Sequence, residues 1–475
     1  MRNVVGMATR PPRNLGNTMS KSYPPPPSLE KASEVTRVLH DGVDAFAQSS
    51  HAAYLNPESP TVQVDLFHGD RVADWQNAKA SAAMLGTTSA ATLDPIYARY
   101  ATFDTNRLIQ SIIEIEKCEA ALVTDSGMQA CALVMDALIR PGSHVIMSEQ
   151  VYAKTKSYLE WTAARMDIEF NYVDHITPEV LKRDVRSNTT LVLGETFSNP
   201  LMRALDLQEL SETIVSLRDS VAPGLRFVID HTIASPYGAK KALLDHDGID
   251  AVLAAGTKAM AGNDQDIWGY VASNRLGLIN ILSDLQSMRG GVLSWRSARV
   301  LEKHIKQTEK LFEKRCQSAI EVVRYLEGNN LVSEIFHPST ASHPDHKIAM
   351  SQYKNLGSLL SFRLADAETE ADVGHFCNVL AMTRVFRYAL SFDGLVSKVN
   401  HHTTVSEFFT PPGKLRSLNI DRLVRLAIGT EDPKDLIRAL EWAFENAKAI
   451  SAEDVEAWAA ERAQHIYPEQ SASNS

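Results

Sequence analysis

The sequence lacks long apolar runs and lacks an excess of positive charge. No segment reaches the roughly 18 consecutive apolar residues that a membrane-spanning helix requires. The 475 residues include 48 Lys and Arg against 58 Asp and Glu, a formal net charge of −10. Such an acidic chain is poorly suited to a nucleic acid or an anionic membrane surface, so we expect neither as a partner. With 44% hydrophobic residues, the composition is that of an ordinary globular protein.

Cysteine is also scarce. The cysteines lie far apart and follow neither the spacing of a metal site nor that of a disulfide framework. We interpret them as thiols of the hydrophobic core, and their scarcity favours a reducing compartment, which we take to be the cytoplasm. The four residues are Cys118, Cys131, Cys316 and Cys377.

Acidic residues are missing from the start of the chain. The first is Glu30, and four basic residues precede it: Arg2, Arg10, Arg13 and Lys21. This pattern is typical of some organelle transit peptides and lacks the apolar core of a secretory signal. The stretch is rich in Pro, Ser and Asn, which favours a disordered tail over a transit peptide. We expect a tail and arm over residues 1–60 and a second frayed end at HIYPEQSASNS.

From about residue 105 onward, strand and helix patterns alternate. Apolar runs such as AALVTD, HVIMSE, TTLVLGET and LRFVIDH are each followed by an amphipathic stretch. This predicts an α/β fold with a mostly parallel sheet covered by helices on both faces. Beyond a long helical stretch, the runs SLLSFRLA, VFRYALSF and RLVRLAIG predict the strands of a smaller α+β domain. We place the boundary near residue 295, between an α/β domain of 61–295 and a C-terminal domain of 296–475.

Unusual residues follow the predicted strands of the first domain. Gly127, Glu195, Asp230 and Lys258 each come at or after the end of a different apolar run. Ligands of a parallel sheet bind beyond the carboxyl ends of its strands. We therefore expect these four positions to converge on one site.

The surroundings of Lys258 suggest the chemistry of that site. The run AVLAAGTKAMAG places its amine among small and apolar residues. A desolvated amine has a lowered pKa and can form an imine, while a nearby aspartate can keep a pyridine nitrogen protonated. The turn DSGMQA offers free backbone N–H groups to a phosphate. The combination suits pyridoxal phosphate, although each part alone has an ordinary interpretation as a snorkelling lysine, a capping aspartate or a turn glycine.

Several motifs occur in the order of one enzyme family. YARYATFDTNRL is similar to its Tyr-x-Arg segment, EAALVTDSGMQA to its phosphate loop and SEQVYAKT to its stacking-tyrosine turn. GETFSNPLM resembles its Glu-Thr-x-x-Asn-Pro block, VIDHTIASPYG its Asp-Asn-Thr block and GTKAMAG its lysine motif. SHPDHKIAMSQYKNLGSLLSFRL and RLVRLAIGTED are similar to its second domain. From about Tyr97 to Asp432 the chain thus resembles the Cys/Met-metabolism pyridoxal-phosphate enzymes, which include cystathionine γ-synthase, the cystathionine lyases and methionine γ-lyase.

The resemblance implies a fold-type I pyridoxal-phosphate-dependent transferase fold, pyridoxal 5′-phosphate as the cofactor, and roles for individual residues. Lys258 is expected to form the Schiff base and move protons, and Asp230 to pair with the pyridine nitrogen. Tyr152 is expected to stack on the ring and to help with proton transfer as a second catalytic residue. Arg425 is expected to hold the substrate α-carboxylate, with Ser397 beside it. Outside this context, Arg425 would be interpreted as a strand-end ion pair. The other expected contacts come from Gly127, Met128, Thr257, Glu195, Asn199, Thr232 and, across a subunit boundary, Tyr97 and Arg99.

Some positions depart from the family pattern. Ala255 stands where a phosphate-binding serine is usual, and Thr102-Phe103-Asp104 replaces Asn-Pro-Thr. Lys154 stands where the sulfur lyases have a small residue or cysteine. The loop SFDGLVS differs from Ser-Leu-Gly-Gly-x-Glu-Ser, with Val396 in place of the glutamate. The changes fall mainly on residues expected to contact the distal part of the substrate, which favours a leaving group other than an ordinary thiol.

The following segment, NHHTTVSEFF, replaces a Pro-Ala-Ser-Met-Thr-His-like run. We interpret its His401 and His402 as loop residues rather than metal ligands, because two adjacent imidazoles lack a third partner, and we expect no metal site.

Together these features predict an enzyme for a small L-homoserine-derived amino acid with a leaving group at Cγ. The expected course is γ-elimination or γ-replacement through a vinylglycine ketimine, and the sequence does not decide between the two. β-Elimination, as in cystathionine β-lyase, is an alternative, as is a non-catalytic homologue that binds pyridoxal phosphate. Because Tyr97 and Arg99 are expected to serve a neighbouring site, we expect a homo-oligomer, a tetramer built from two dimers.

Overall fold

The computed structural model describes residues 98–261, 263–408 and 410–466, all within one compact unit, Pro60–Ser475. The predicted tail of residues 1–60, Tyr97 and the end of the chain lie outside the described residues. Two β-sheets, one of seven strands and one of five, organise the described part. None of the helices in these ranges combines the length and apolar character needed to cross a membrane.

The larger sheet consists of β1 (Ala120–Thr124), β2 (His144–Ser148), β3 (Glu169–Val173), β4 (Thr189–Glu195), β5 (Arg226–Asp230), β6 (Ala251–Ala254) and β7 (Gly269–Ser273). The strands lie in the order β1-β7-β6-β5-β4-β2-β3. Strands β2 to β6 pair in parallel, while β7 runs antiparallel to β1 and β6. The predicted mostly parallel sheet is confirmed, and its strands are apolar because both faces are covered.

Helices cover both faces of this sheet. They are α1 (Phe103–Glu116), α2 (Gly127–Leu138), α3 (Ala153–Met166), α4 (Pro178–Asp184), α5 (Leu207–Ser220), α6 (Leu276–Arg289) and the long α7 (Trp295–Glu327). Helices α1, α5 and the first half of α7 bury their apolar residues on one face, and α2, α3 and α6 on the other. Thr102, in one of the segments that depart from the family pattern, accepts the backbone N–H of Thr105 and caps α1.

The smaller sheet has the order β10-β11-β12-β9-β8. Its strands are β8 (Val332–Phe336), β9 (Leu359–Leu364), β10 (Arg387–Tyr388), β11 (Lys398–His401) and β12 (Val424–Ala427). The accompanying helices are α8 (His346–Gln352), α9 (Glu370–Met382), α10 (His402–Val405), α11 (Pro412–Ser417), α12 (Pro433–Asn446) and α13 (Ala452–Ile466). The strand predicted for VFRYALSF is reduced to β10, because only its first part pairs with β11.

Helix α7 connects the two sheets. Leu301 and Phe312 pack into the core of the larger sheet, whereas Val322 and Leu326 pack against the smaller one. A single helix of 33 residues therefore contributes to both cores. The predicted boundary near residue 295 coincides with its first residue, while the division into domains of 61–295 and 296–475 stays a prediction.

The core of the smaller sheet can be tested with a matched pair of leucines. Leu440 in α12 is fully buried, so Leu440→Ala leaves a cavity and is expected to lower the free energy of unfolding by about 2–5 kcal/mol. Leu276, which starts α6 and is 44% exposed, is the control, with an expected change below about 0.5 kcal/mol for Leu276→Ala. Urea unfolding followed by circular dichroism measures both. Equal losses in the two variants would contradict this core.

Candidate active site

Strands β1, β4, β5 and β6 of the larger sheet end at one edge, and the candidate residues start there. Gly127 follows β1, Glu195 ends β4, Asp230 ends β5, and Lys258 comes shortly after β6. Glu195 and Asp230 are direct partners in the register of β4 and β5. The expected convergence of these positions is therefore visible in the backbone.

Lys258 is half-buried at this edge. Its Nζ donates a hydrogen bond of 2.7 Å to Oγ of Ser391 and lies 4.9 Å from the centre of the Phe392 ring. Burial lowers the pKa of the amine to about 8. An amine with such a pKa has an appreciable neutral, nucleophilic fraction near physiological pH.

Asp230 is held by its neighbours in a fixed orientation. Its Oδ1 accepts hydrogen bonds from the backbone N–H and the hydroxyl of Thr232, at 2.9 and 2.6 Å. The Thr232 hydroxyl in turn accepts the backbone N–H of Ala255 at 2.8 Å. Burial raises the pKa of the Asp230 carboxyl. A half-buried carboxylate in this position is stabilised by a protonated nitrogen, which is what a pyridinium provides.

Glu195 fixes the start of α3. Its Oε1 accepts the backbone N–H of Tyr152 at 2.7 Å, and the Tyr152 side chain remains 53% exposed. Burial, and next the charge of Asp230, hold the pKa of Glu195 well above its usual range. The result is an aromatic side chain anchored by its backbone at the site edge, which is suitable for stacking on a planar ring.

The start of α2 forms the candidate phosphate site. Helix α2 begins at Gly127, and Oγ of Ser126 accepts the backbone N–H of Gln129 at 3.2 Å. The N–H groups of Gly127 and Met128 lie in the first turn, where backbone donors lack helical acceptors. A Cβ at Gly127 would lie 2.5 Å from Cβ of Ala255, so the close approach of the lysine-bearing segment requires glycine here.

Three other residues are expected to contact the phosphate. The structure shows two of them, Thr257 and Arg99, in hydrogen bonds to other parts of the chain. The Thr257 hydroxyl accepts the backbone N–H of Trp268 at 3.0 Å and donates to the carbonyl oxygen of the same residue at 3.2 Å. Arg99 is exposed and donates to the carbonyl oxygen of Ser287 at 2.9 Å. Tyr97 lies outside the described residues. Contacts of these residues with a phosphate stay predictions.

Arg425 is a buried cation in β12 with neutral partners. Its Nη1 donates to Oδ1 of Asn199 at 3.2 Å and its Nη2 to the carbonyl oxygen of Leu390 at 2.7 Å, while Nε has no hydrogen-bond partner. Burial lowers the pKa of this guanidinium to about 10. A desolvated guanidinium bound to neutral acceptors is a strong site for a carboxylate.

Ser397, expected beside Arg425, makes its side-chain hydrogen bonds elsewhere. Oγ of Ser397 donates to Glu431 at 2.8 Å and accepts the backbone N–H of Gly429 at 2.8 Å. The cross-strand partner of Arg425 in β11 is Asn400. The Ser397 hydroxyl is thus held by the turn that follows β12, and its expected role beside Arg425 stays a prediction.

Ser391 is a site residue that the sequence motifs did not single out. It contacts Lys258, and the preceding residue, Leu390, accepts from Arg425. Both Ser391 and Ser397 belong to the motif SFDGLVS, so the motif signalled a serine but did not indicate which of the two faces the site.

Two positions, Val396 and Lys154, are expected to contact the distal part of the substrate. Val396 lines a surface recess with Met382 and Trp442. None of the other candidate site residues lines this recess, and the expected effect of Val396 on the substrate stays a prediction. Lys154 is exposed in the first turn of α3, two residues after Tyr152.

The two histidines are not loop residues, contrary to the prediction from the sequence. His401 ends β11, where its Nε2 is 2.8 Å from Oε2 of Glu370 and its Nδ1 is 3.0 Å from Oγ1 of Thr404. His402 begins α10 and is buried, and burial, followed by the charge of Arg425, holds its pKa well below the usual range. In the ranges that the structure describes, no three His, Cys, Asp or Glu side chains are grouped to hold a metal ion.

Comparisons with known proteins agree with this architecture. The family model for the Cys/Met metabolism PLP-dependent enzyme, where PLP is pyridoxal phosphate, matches residues 76–445. Cystathionine gamma-lyase of Bacillus subtilis is 28% identical over 351 residues, covering 74% of this chain and 88% of that protein. Cystathionine beta-lyase of Lactococcus lactis is 27% identical over 350 residues, covering 74% and 88%.

A solved structure is similar over the same extent. The crystal structure of cystathionine gamma synthase from Xanthomonas oryzae in complex with cystathionine has a TM-score of 0.69 and 26% identity, and the match covers 75% of this chain and 89% of that one. The matched segment of the sequence contains both sheets, Lys258 and Arg425. The predicted fold class, cofactor and enzymatic nature are thereby confirmed. The protein is a PLP-dependent enzyme and belongs to the Cys/Met metabolism family.

Proposed function

We propose that the protein catalyses γ-elimination or γ-replacement on an L-homoserine-derived amino acid. One observation carries this proposal: the consecutive residues Leu390 and Ser391 accept hydrogen bonds from Arg425 and Lys258, respectively. A short segment therefore brings together a cation for the α-carboxylate and an amine that reacts near neutral pH. Similarity to proteins named cystathionine gamma-lyase and cystathionine gamma synthase supports Cγ as the reacting position.

The side chains present fit the cofactor. Asp230 supplies a half-buried carboxylate for the pyridine nitrogen, Lys258 an amine for the aldehyde, and the first turn of α2 donors for the phosphate. When bound, pyridoxal phosphate supplies an electron-withdrawing ring that stabilises negative charge at Cα of an amino acid. The close contact between Gly127 and Ala255 brings the phosphate site next to the segment that carries Lys258.

Arg425 orients the substrate. Its planar guanidinium can bind the two oxygens of an α-carboxylate, and Asn199 and Leu390 fix the plane of the guanidinium. Because the guanidinium is buried, the carboxylate is bound in a setting where charge–charge attraction is stronger than in water.

Lys258 is the base of the proposed reaction. Release of a group at Cγ requires a proton to leave Cα and another to leave Cβ, after which the Cγ bond breaks and its electron pair departs with the leaving group. A group with a pKa of about 8 can both take and return protons near neutral pH. The hydrogen bond to Ser391 fixes the position of the amine, next to the residue whose carbonyl oxygen accepts from Arg425.

Elimination and replacement differ in their last steps. Elimination ends in a 2-oxo acid and ammonia, whereas replacement joins a nucleophile to Cγ and retains the amino group. The proposed preference for a leaving group other than a thiol now rests on Lys154, which is exposed two positions after Tyr152, since Val396 lines a recess with none of the other candidate site residues.

A substrate panel tests the proposal. Purified enzyme is incubated with an O-acyl-homoserine, cystathionine, methionine and canavanine, with and without an added thiol, and the products are identified by mass spectrometry. We expect the highest kcat/KM for a homoserine derivative without a thiol leaving group, giving either 2-oxobutanoate or a Cγ-substituted amino acid. Pyruvate as the main product from cystathionine would show β-elimination and contradict the proposal.

The carboxylate clamp is tested by Arg425→Lys. The variant keeps a positive charge but loses the planar fork, so KM is expected to rise by roughly 10- to 150-fold, the equivalent of one or two charged hydrogen bonds. Arg422→Lys is the matched control, because Arg422 lies close in sequence and is 42% exposed. Steady-state kinetics measure both variants. An unchanged KM in Arg425→Lys would remove Arg425 from the substrate site.

We also propose that the enzyme is a homotetramer built from two dimers. The support is the resemblance of the Tyr97–Arg99 segment to one that completes a neighbouring site, together with the exposure of Arg99 in the single chain. Light scattering coupled to size exclusion is expected to give a mass about four times that of one chain. A fully active monomer would contradict this arrangement.

A further inference from the structure

The loop between β10 and β11 carries charges that the proposed mechanism does not use. Asp393 lies in this loop, two residues after Ser391, and is buried with 2% exposure. Its φ of 58° is in the left-handed region, which aspartate tolerates better than most residues. The Ser-Leu-Gly-Gly-x-Glu-Ser motif, to which SFDGLVS was compared, has glycine at this position.

The Asp393 carboxylate is paired inside the protein. Its Oδ1 accepts the hydroxyl of Ser358 and lies 3.9 Å from Nε of Arg315 on α7, and both members of this ion pair are fully buried. Oδ2 has no hydrogen-bond partner. A buried carboxylate with one unpaired oxygen exerts a strong electrostatic effect on charges near it.

A second ion pair lies against the same loop. Lys398, with 7% exposure, donates through Nζ to Oδ2 of Asp264 at 2.8 Å. Asp264 belongs to the segment that follows Lys258. A Cβ at Gly394 would overlap both partners, so the pair lies directly on the backbone of the loop. The two segments that bracket the Lys258 amine are thus connected by an ion pair.

Four charged side chains act on Lys258 from these elements. Asp393 and Asp264 favour its protonated form, whereas Arg425 and Lys398 oppose it. Burial of the amine is the largest influence on its pKa, and the contribution of Asp393 follows it. The loop and the first residue of β11 therefore place charges of opposite sign, Asp393 and Lys398, within electrostatic reach of the same amine.

We propose that Asp393 and Lys398 are opposed positioning residues that together set how firmly Lys258 holds its proton. The proposal rests on the proposed role of Lys258 as the cofactor-binding base. The negative charge of Asp393 favours the protonated form of the desolvated Lys258 amine, and the positive charge of Lys398 partly offsets this effect. The ion pair of Lys398 with Asp264 holds the loop so that both charges keep their positions.

The test uses two variants with opposite expected effects. In the holoenzyme, the visible absorption of the bound cofactor is titrated with pH, since it changes when the Lys258 nitrogen loses its proton. Asp393→Asn is expected to move the midpoint down by about 0.5–1 pH unit, because a carboxylate is lost while the nearby Arg315 keeps its charge. Lys398→Met is expected to move it up by about the same amount, because a cation is lost and Asp264 is released.

Matched controls come from an exposed ion pair of the same residue types. Lys448 and Asp366 are 2.6 Å apart, with Lys448 81% exposed, and Asp366→Asn and Lys448→Met are expected to leave the midpoint unchanged. Lys258→Ala should show no such titration, which checks that the band reports this lysine.

A second measurement is independent of the cofactor. The full-length chain, freed of pyridoxal phosphate, is labelled at different pH values with trace acetic anhydride, and peptide mass spectrometry gives the pKa of the Lys258 amine. We expect a pKa near 8 in the unaltered protein, with shifts of the same signs in the two variants. Because no substrate is needed, this result is separate from the outcome of the substrate panel.

Two outcomes would overturn the proposal. Midpoints that match those of the exposed controls would show that the loop charges do not act on Lys258. Shifts of the same sign in both variants would indicate a general disturbance of the loop rather than opposed charges. If Asp393→Asn does not fold, the midpoint shift of Lys398→Met alone decides the proposal. This second variant is expected to fold because Asp264, which it leaves without its partner, is 38% exposed and can be solvated.

Discussion

The desolvation of two positive charges, on Lys258 and Arg425, is the constraint on which the site depends. Their hydrogen bonds go to neutral acceptors: a serine hydroxyl, an amide oxygen and a backbone carbonyl. Burying charges in this way lowers the stability of the protein, and the cores of the two sheets, joined through α7, offset it. The same desolvation makes Lys258 reactive and makes Arg425 attractive to a carboxylate.

The features that could be predicted from the sequence are local ones. Apolar runs alternating with amphipathic stretches specify parallel strands with helices, and the residue that ends or follows each strand is then placed at a known edge. Gly127, Glu195 and Asp230 occupy that edge for this reason. Lys258 could be singled out because the small and apolar residues around it are contiguous in the chain.

The features that could not be predicted depend on contacts between distant segments. Lys258 and Ser391 are separated by 133 positions, and the path of the loop before β11 decides that Ser391 reaches the amine. Likewise, two adjacent histidines suggested a loop, but the register of β11 on β12 buries His401. Periodicity within a segment carries no information about such pairings.

At the edge of the larger sheet where the site lies, desolvation shifts the pKa values of acids and of bases in opposite directions. Burial raises the pKa of Asp230 and of Glu195, and lowers the pKa of Lys258. The proton affinities of these groups therefore lie closer together than they would in water, which makes proton transfer among groups at this edge less unfavourable near neutral pH. Burial alone cannot adjust the pKa of Lys258 without also changing the pKa values of the two carboxyl groups, because all three groups are desolvated. Charges on a separate segment can do so, and Asp393 in the loop and Lys398 at the start of β11 both act on Lys258.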